Sequence, residues 1–219
     1  MSTASSSAHA PATGSVGGFW RARLGSFLAV VPLGVWTFIH LWNNLAAFQG
    51  GAAWEDAVTR SHPLAHFLTL LVVMIPLVLH TIWGLSRLRT ARPNNVRYGF
   101  FHNLKYVVQR VSAVGVMLFL GAHVWKAMLH PRYVEGHPES FADIATQMAH
   151  HVPTLVVYAL GTLGVAYHLS NGLTTFAMGW GIVSSRRALR KLELLGWLLF
   201  AILLVMSWGT LFAMWRAGQ

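Results

Sequence analysis

Long apolar stretches alternate along this chain with short polar ones. Five apolar stretches, roughly Leu24 to Phe48, Leu64 to Leu85, Val107 to Leu129, Val152 to Met178 and Leu192 to Trp215, are separated by segments that hold nearly all the charge. Each has about the 20 residues that a helix rising ~1.5 Å per residue needs to cross a ~30 Å hydrocarbon layer. None shows the two-residue alternation of a barrel strand. Pro32, Pro76 and Pro153 fall within or at the start of these stretches, which membrane helices tolerate because neighbouring helices satisfy the freed backbone groups. The pattern predicts an all-α integral membrane protein, a five-helix transmembrane bundle over residues 19–219. Residues 1–18, rich in Ser, Ala and Gly and without Lys or Arg, lack the basic start and apolar core of a signal peptide and are expected to be a disordered tail.

Composition agrees, with 55% of residues hydrophobic and 10% charged. Charge adds an orientation. Of the 16 basic residues, 12 lie before the first stretch, between the second and third or in the first turn of the third, or between the fourth and fifth. These are Arg21, Arg23, Arg87, Arg89, Arg92, Arg97, Lys105, Arg110, Arg186, Arg187, Arg190 and Lys191. In a five-helix bundle those regions share one side, and the other side holds Arg60, Lys126, Arg132 and Arg216 with five of the six acids. The positive-inside rule then places the amino terminus in the cytoplasm and the carboxyl terminus outside. The formal charge of +10 is thus a topology signal and not a nucleic-acid surface, and it leaves a basic cytoplasmic face on which an acidic soluble partner could dock. With no cysteine in the chain, any metal chemistry must use histidine.

The first four stretches each carry one histidine well inside the apolar run, His40, His80, His123 and His168, and the fifth carries none. An ionisable ring at such a depth is a functional hypothesis by default. Because successive helices run in opposite directions, His80 and His168 fall at one level, roughly 9 Å from the cytoplasmic boundary at helical rise. His40 and His123 fall at a second level, ~9 to 12 Å from the outer boundary. Two imidazoles at one depth on two helices are what a six-coordinate haem iron needs, an arrangement suited to electron transfer more than to oxygen chemistry. Proton relays and metal transporters are the competing use of membrane histidines, but those sites usually call on carboxylates. The apolar cores of the first four stretches have none.

The residues around the rings refine this picture. Gly164 and Gly172 flank His168 one turn away on either side, and Gly84 follows His80; positions without a side chain would let a flat macrocycle approach the backbone. Around the outer level stand Trp36, Asn44, Phe119 and Ala127, an aromatic and more open pocket. Haem propionates need cations or donors near the membrane edge, and Arg110 is the first candidate, with Arg23, Ser26 and Ser170 behind it. Trp42 and His66 are outer-side candidates for a quinone contact. His62, His102, His130, His137, His150 and His151 sit in loops or near helix ends and are expected to be solvated interfacial residues.

From Arg21 to the end, the chain resembles the di-haem cytochrome b membrane anchors of succinate dehydrogenases and related fumarate reductases. The resemblance is carried by Arg23-Leu-Gly-Ser26 leading into Pro32-Leu-Gly34, His40-Leu41 with Asn43 and Asn44, Pro76 to His80, Gln109-Arg110, His123-Val-Trp125 and His168-Leu-Ser170-Asn171-Gly172. It implies two haems b, the inner held by His80 and His168 and the outer by His40 and His123. It also implies a flavoprotein and an iron–sulfur subunit as partners, a membrane quinone, commonly menaquinone, as substrate, and a place in the bacterial cytoplasmic membrane. Two positions depart from the family pattern: Gly25 stands where relatives often have histidine, and the fifth stretch has only Glu193, at its inner edge, where some fumarate reductases carry an intramembrane glutamate. Another quinone-linked dehydrogenase or hydrogenase subunit, a histidine-lined transporter and a haem-free anchor are the alternatives.

Overall fold

The computed structural model describes residues 16–59, 63–90 and 100–219. Arg60, His62, Arg92, Arg97 and residues 1–15 of the expected tail lie outside the described residues, as do the side chains of Arg21, His66 and His102. Helical structure already begins at Val16, inside the last three residues of that expected tail.

The described residues are almost wholly helical and contain no strand. We number the helices α1 (Arg23–Gln49), α3 (Phe67–Arg89), α4 (Asn103–Glu135), α6 (Val152–Gly179) and α7 (Arg186–Ala217), the five long and apolar enough to cross a membrane. Two short helices, α2 (Gly51–Val58) and α5 (Phe141–His150), lie between them. The five-helix bundle expected from the hydrophobic pattern is therefore present. Val205 is 72% exposed on its surface, one of many large apolar side chains facing outward. In water such a surface would be untenable, whereas in lipid it is the natural outside.

Helix ends follow local chemistry. Ser185 caps α7 by accepting from Ala188 N at 3.2 Å, so this helix starts six residues before the apolar run at Leu192 and includes the basic turn Arg186 to Lys191. Ser140 caps α5, accepting from Asp143 N at 3.1 Å. Pro153 sits in the first turn of α6, where its missing N–H costs nothing. Other prolines coincide with wide turns. Pro32 lies inside a π-helical stretch of α1 (Ala29–Gly34), another in α3 (Leu70–Met74) ends two residues before Pro76, and Pro131 opens a third (Pro131–Glu135). An inserted residue relieves the clash of the proline ring with the carbonyl one turn back.

The α6 helix is the centre of the bundle, packed against α4 on one side and α7 on the other. Lipid tails are as apolar as leucine, so this contact depends on close approach of small residues. Along α6 the buried positions are Gly161, Ala166, Ser170, Thr174 and Ala177, and a Cβ at Gly196 of α7 would stand 3.3 Å from Ser170 O. α1 packs on α3 and reaches both α6 and α7, but α3 meets α4 only marginally. That gap opens a cleft through the interior.

One end of the bundle is capped. Trp54 of α2, Phe141, Ala145 and Met148 of α5, and Leu211, Ala213 and Met214 of α7 form a buried cluster with Ala47. Full burial of the larger of these side chains stabilises by about 1.5–3 kcal/mol each. Trp54, 3% exposed, also donates from Nε1 to Asn44 Oδ1 at 3.0 Å. Trp54→Ala should lower stability by about 3–5 kcal/mol in a denaturant melt of the detergent-solubilised protein. The same change at Trp42, 63% exposed, should stay within about 0.5 kcal/mol.

Candidate functional site

Four imidazoles line the interior cleft, which has a volume of about 980 Å³. They meet in two pairs. His80 of α3 and His168 of α6 have ring centres 6.3 Å apart; His40 of α1 and His123 of α4 are 6.0 Å apart. Tyr158, which contacts His123, lies ten residues before His168 on α6, so the two levels are separated by about 15 Å along the helix. Among the described residues no three His, Cys, Asp or Glu side chains converge as a metal cluster. Among the described residues each level offers one pair of imidazoles.

At the first level each ring is held from behind. His80 Nδ1 lies 2.9 Å from Gly25 O, an acceptor, so the proton sits on Nδ1 and the Nε2 lone pair is left free. A Cβ at Gly25 would run into the Trp83 indole, and Trp83 stacks on His80 at 6.0 Å. The glycine that departs from the family pattern thus lets α1 come close enough for its carbonyl to reach His80. His168 Nδ1 has Gln109 Nε2 at 3.2 Å and Ser112 Oγ at 3.3 Å, both from α4.

The second level is built on stacking. Trp36 lies flat on His40, centres 4.6 Å apart and planes 10° from parallel, and Phe119 stacks on His123 at 5.7 Å. Tyr158 OH is 3.3 Å from His123 Nδ1. Asn44 Nδ2 donates to His40 O at 2.8 Å and stands 3.5 Å from His40 Nε2. Sequence reasoning found the aromatic neighbours one turn away but missed Tyr158 and Trp54, which come from other helices.

Arg110 lines the cleft beside the first level, with its guanidinium 3.3 Å from the Tyr106 ring centre and Nη1 donating to Tyr106 O at 3.2 Å. Its Nε is buried with no partner. Arg23 donates to Gly179 O at 2.6 Å and also lines the cleft, as does Ser26, whose oxygen accepts from Trp180 Nε1 at 3.3 Å. Gly84 and Gly172 border the cleft, and a Cβ at either would meet no atom closer than 3.7 Å.

Three of the expected residues stand apart from the cleft. Ser170 is buried on the other face of α6, bordering a small cavity shared with the Lys105–Glu193 ion pair, whose charged atoms are 2.9 Å apart. It does not reach the cleft, because two helical steps from Gly172, about 200° around the axis, turn it away towards α7. Gly164 likewise is not a cleft residue; a Cβ there would stand 3.4 Å from Val116 Cγ2, so its smallness serves the α4–α6 contact. Trp42 faces outward, away from the rings.

A membrane-spanning helical bundle with imidazoles paired at two levels of an interior cleft defines a class of polytopic membrane protein built to hold something between its helices. The chain belongs to the succinate dehydrogenase/fumarate reductase transmembrane subunit family, whose model matches residues 97–208. It is 31% identical over 175 residues to the succinate dehydrogenase cytochrome b558 subunit of Bacillus subtilis (strain 168), covering 78% of this chain and 85% of that one. No solved structure gives a significant match. The protein is integral to the cytoplasmic membrane.

At the capped end the cleft is bordered by Arg132 and Glu139, two polar residues that sequence reasoning did not assign to the site. Burial raises the Glu139 carboxyl above its ordinary value of 4.5, with Asp143 and Glu135 adding to the shift and Lys126 and His130 opposing it. A raised acid binds more protons folded than unfolded, so stability falls as pH rises from the ordinary value through the folded one. Glu139→Gln should therefore match the parent protein in thermal stability at pH 4, exceed it at pH 7, and flatten the melting temperature against pH between them.

Proposed function

We propose that this chain is the cytochrome b membrane anchor of a succinate dehydrogenase, carrying electrons between an iron–sulfur subunit and a membrane quinone. Two imidazoles sharing one metal, at about 2 Å per metal–nitrogen bond and about 1.1 Å from nitrogen to ring centre, stand roughly 6.2 Å apart. The two pairs, at 6.3 and 6.0 Å inside one cleft, are the observation that carries the reading. At about 980 Å³ the cleft lies at the upper end of the ~300–1,000 Å³ typical of small-molecule sites. The unpartnered Arg110 Nε suits a carboxylate ligand.

On this reading His80 with His168 would hold one haem b, and His40 with His123 a second. Arg110, Arg23 and Ser26 hold propionates at the first level, and Gly84 and Gly172 leave room for the ring edge. Haem, when bound, would supply a one-electron Fe(III)/Fe(II) couple. The chain's own residues fix the rings, exclude water and keep neutral imidazoles facing the cleft. Succinate gives up two electrons and two protons on a flavoprotein partner. The quinone, menaquinone in our reading, takes up two electrons and two protons on becoming quinol. The basic end, with Arg87, Arg89, Arg186, Arg187, Arg190 and Lys191, faces the cytoplasm and receives the iron–sulfur subunit, and the capped end faces outward.

An optical and haem-stoichiometry assay of the purified complex tests this. Two low-spin haems b per chain are expected, together with a co-purifying flavoprotein; a different soluble partner would reassign the complex. His80→Leu and His168→Leu should each remove one haem and leave the signal of the other. Loss of both haems in each variant, or of neither, would defeat the pairing.

A further inference from the structure

His80 and His168 face each other across the cleft, but the groups behind them are of opposite kind. Behind His80 is a carbonyl, Gly25 O. Behind His168 are an amide and a hydroxyl, and the hydrogen bonds around each decide what it presents. Gln109 Oε1 accepts from Asn171 Nδ2 at 2.8 Å, and Gln109 Nε2 donates to the His168 main-chain carbonyl at 3.1 Å. Turning the amide over would set two acceptor oxygens against each other at that distance. So Gln109 presents an N–H, 3.2 Å from His168 Nδ1. Ser112 directs its own proton to Gln109 O at 3.0 Å, which leaves an oxygen lone pair 3.3 Å from the same nitrogen.

We propose that Ser112 and Gln109 are positioning residues for His168 that act with opposite sign on the redox centre it serves. The Ser112 oxygen accepts from Nδ1–H, which selects the tautomer whose Nε2 lone pair faces the cleft and makes the imidazole a better electron donor. Nδ1, donating to Ser112, does not accept from Gln109, whose amide donates instead to His168 O at 3.1 Å; its N–H, 3.2 Å from Nδ1, acts only through space, as the positive end of a dipole set against the ring. A more electron-rich axial ligand favours Fe(III) and lowers the potential; a poorer one favours Fe(II) and raises it. His80, on its carbonyl, is the electron-rich member of the pair, and His168 is the one that side chains can tune.

The inference rests on the haem reading above and is tested by redox titration of the two haems, followed optically in the whole complex. In Gln109→Glu a carboxylate replaces the N–H, and the potential of the His80–His168 haem should fall. In Ser112→Ala the acceptor is gone and the N–H remains, and the same potential should rise. The other haem should hold its potential in both. Opposite shifts are a signature that general loosening of the helices would not produce. Shifts of one sign in both variants, or none, would overturn the inference while leaving the haem reading intact. Should Gln109→Glu fail to assemble, Ser112→Ala alone decides, because an unchanged or lowered potential there is sufficient to overturn it. A parent complex without a bis-histidine low-spin signal would instead bring down the haem reading, and this inference with it.

Discussion

An imidazole inside a hydrocarbon layer cannot turn to water, so each of its nitrogens must find a partner in the protein or in whatever the protein holds. Most of the interior follows from that constraint. At His80, His123 and His168 the Nδ1 atom is engaged from behind by Gly25 O, Tyr158 OH, or Ser112 and Gln109, which commits the other nitrogen to the cleft. The polar residues of α4 and α6 near these rings would otherwise be costly at such a depth. They make sense as groups that fix rings.

Holding four rings at two levels demands helices whose faces are in phase where the rings sit. A straight helix repeats every 3.6 residues, and a proline in it leaves an unmatched carbonyl. The wide turns of α1 and α3 answer both needs: they absorb Pro32 and precede Pro76, then hand over to regular helix before His40 and His80. In α4 the order is reversed, since His123 stands in the last turn of the regular helix, which ends at Val124, and the wide turn Trp125–Leu129 follows. The α6 helix has no such turn over its 28 residues. The 32-residue α7 is likewise unbroken, and the two form the regular pair against which the others are placed.

Legibility in the sequence tracked the range of the interaction. The spans were legible because length and hydropathy are local, and the two levels were legible because depth is a count of residues from a helix end. That His80 meets His168 and His40 meets His123 followed from those counts. The side of a helix was harder to read. Ser170 and Gly164 both lie close to His168 in the sequence, but one faces α7 and the other α4, a choice set by which neighbour packs where. The α5 helix left a local trace that was not used: Ser140 with Asp143 three residues on, followed by apolar positions at Ile144, Ala145 and Met148. Tyr158 and Trp54 left none, since their partners are 35 and 10 residues away.

The two levels differ in what their geometry depends on. Around His80 and His168 the holding groups are main-chain carbonyl, amide and hydroxyl on α1 and α4, inside the bundle. Around His40 the chain of contacts runs outward, from the ring to Asn44, from Asn44 to Trp54, and from Trp54 to Phe141. That end is therefore tied to the extramembrane cap formed by α2 and α5. Burial of apolar surface from water stabilises the cap, whereas between helices in lipid the hydrophobic effect contributes little. The His40–His123 level thus inherits the temperature and denaturant sensitivity of a water-facing hydrophobic cluster. The His80–His168 level is insulated from it by the close-packed seam of α4, α6 and α7.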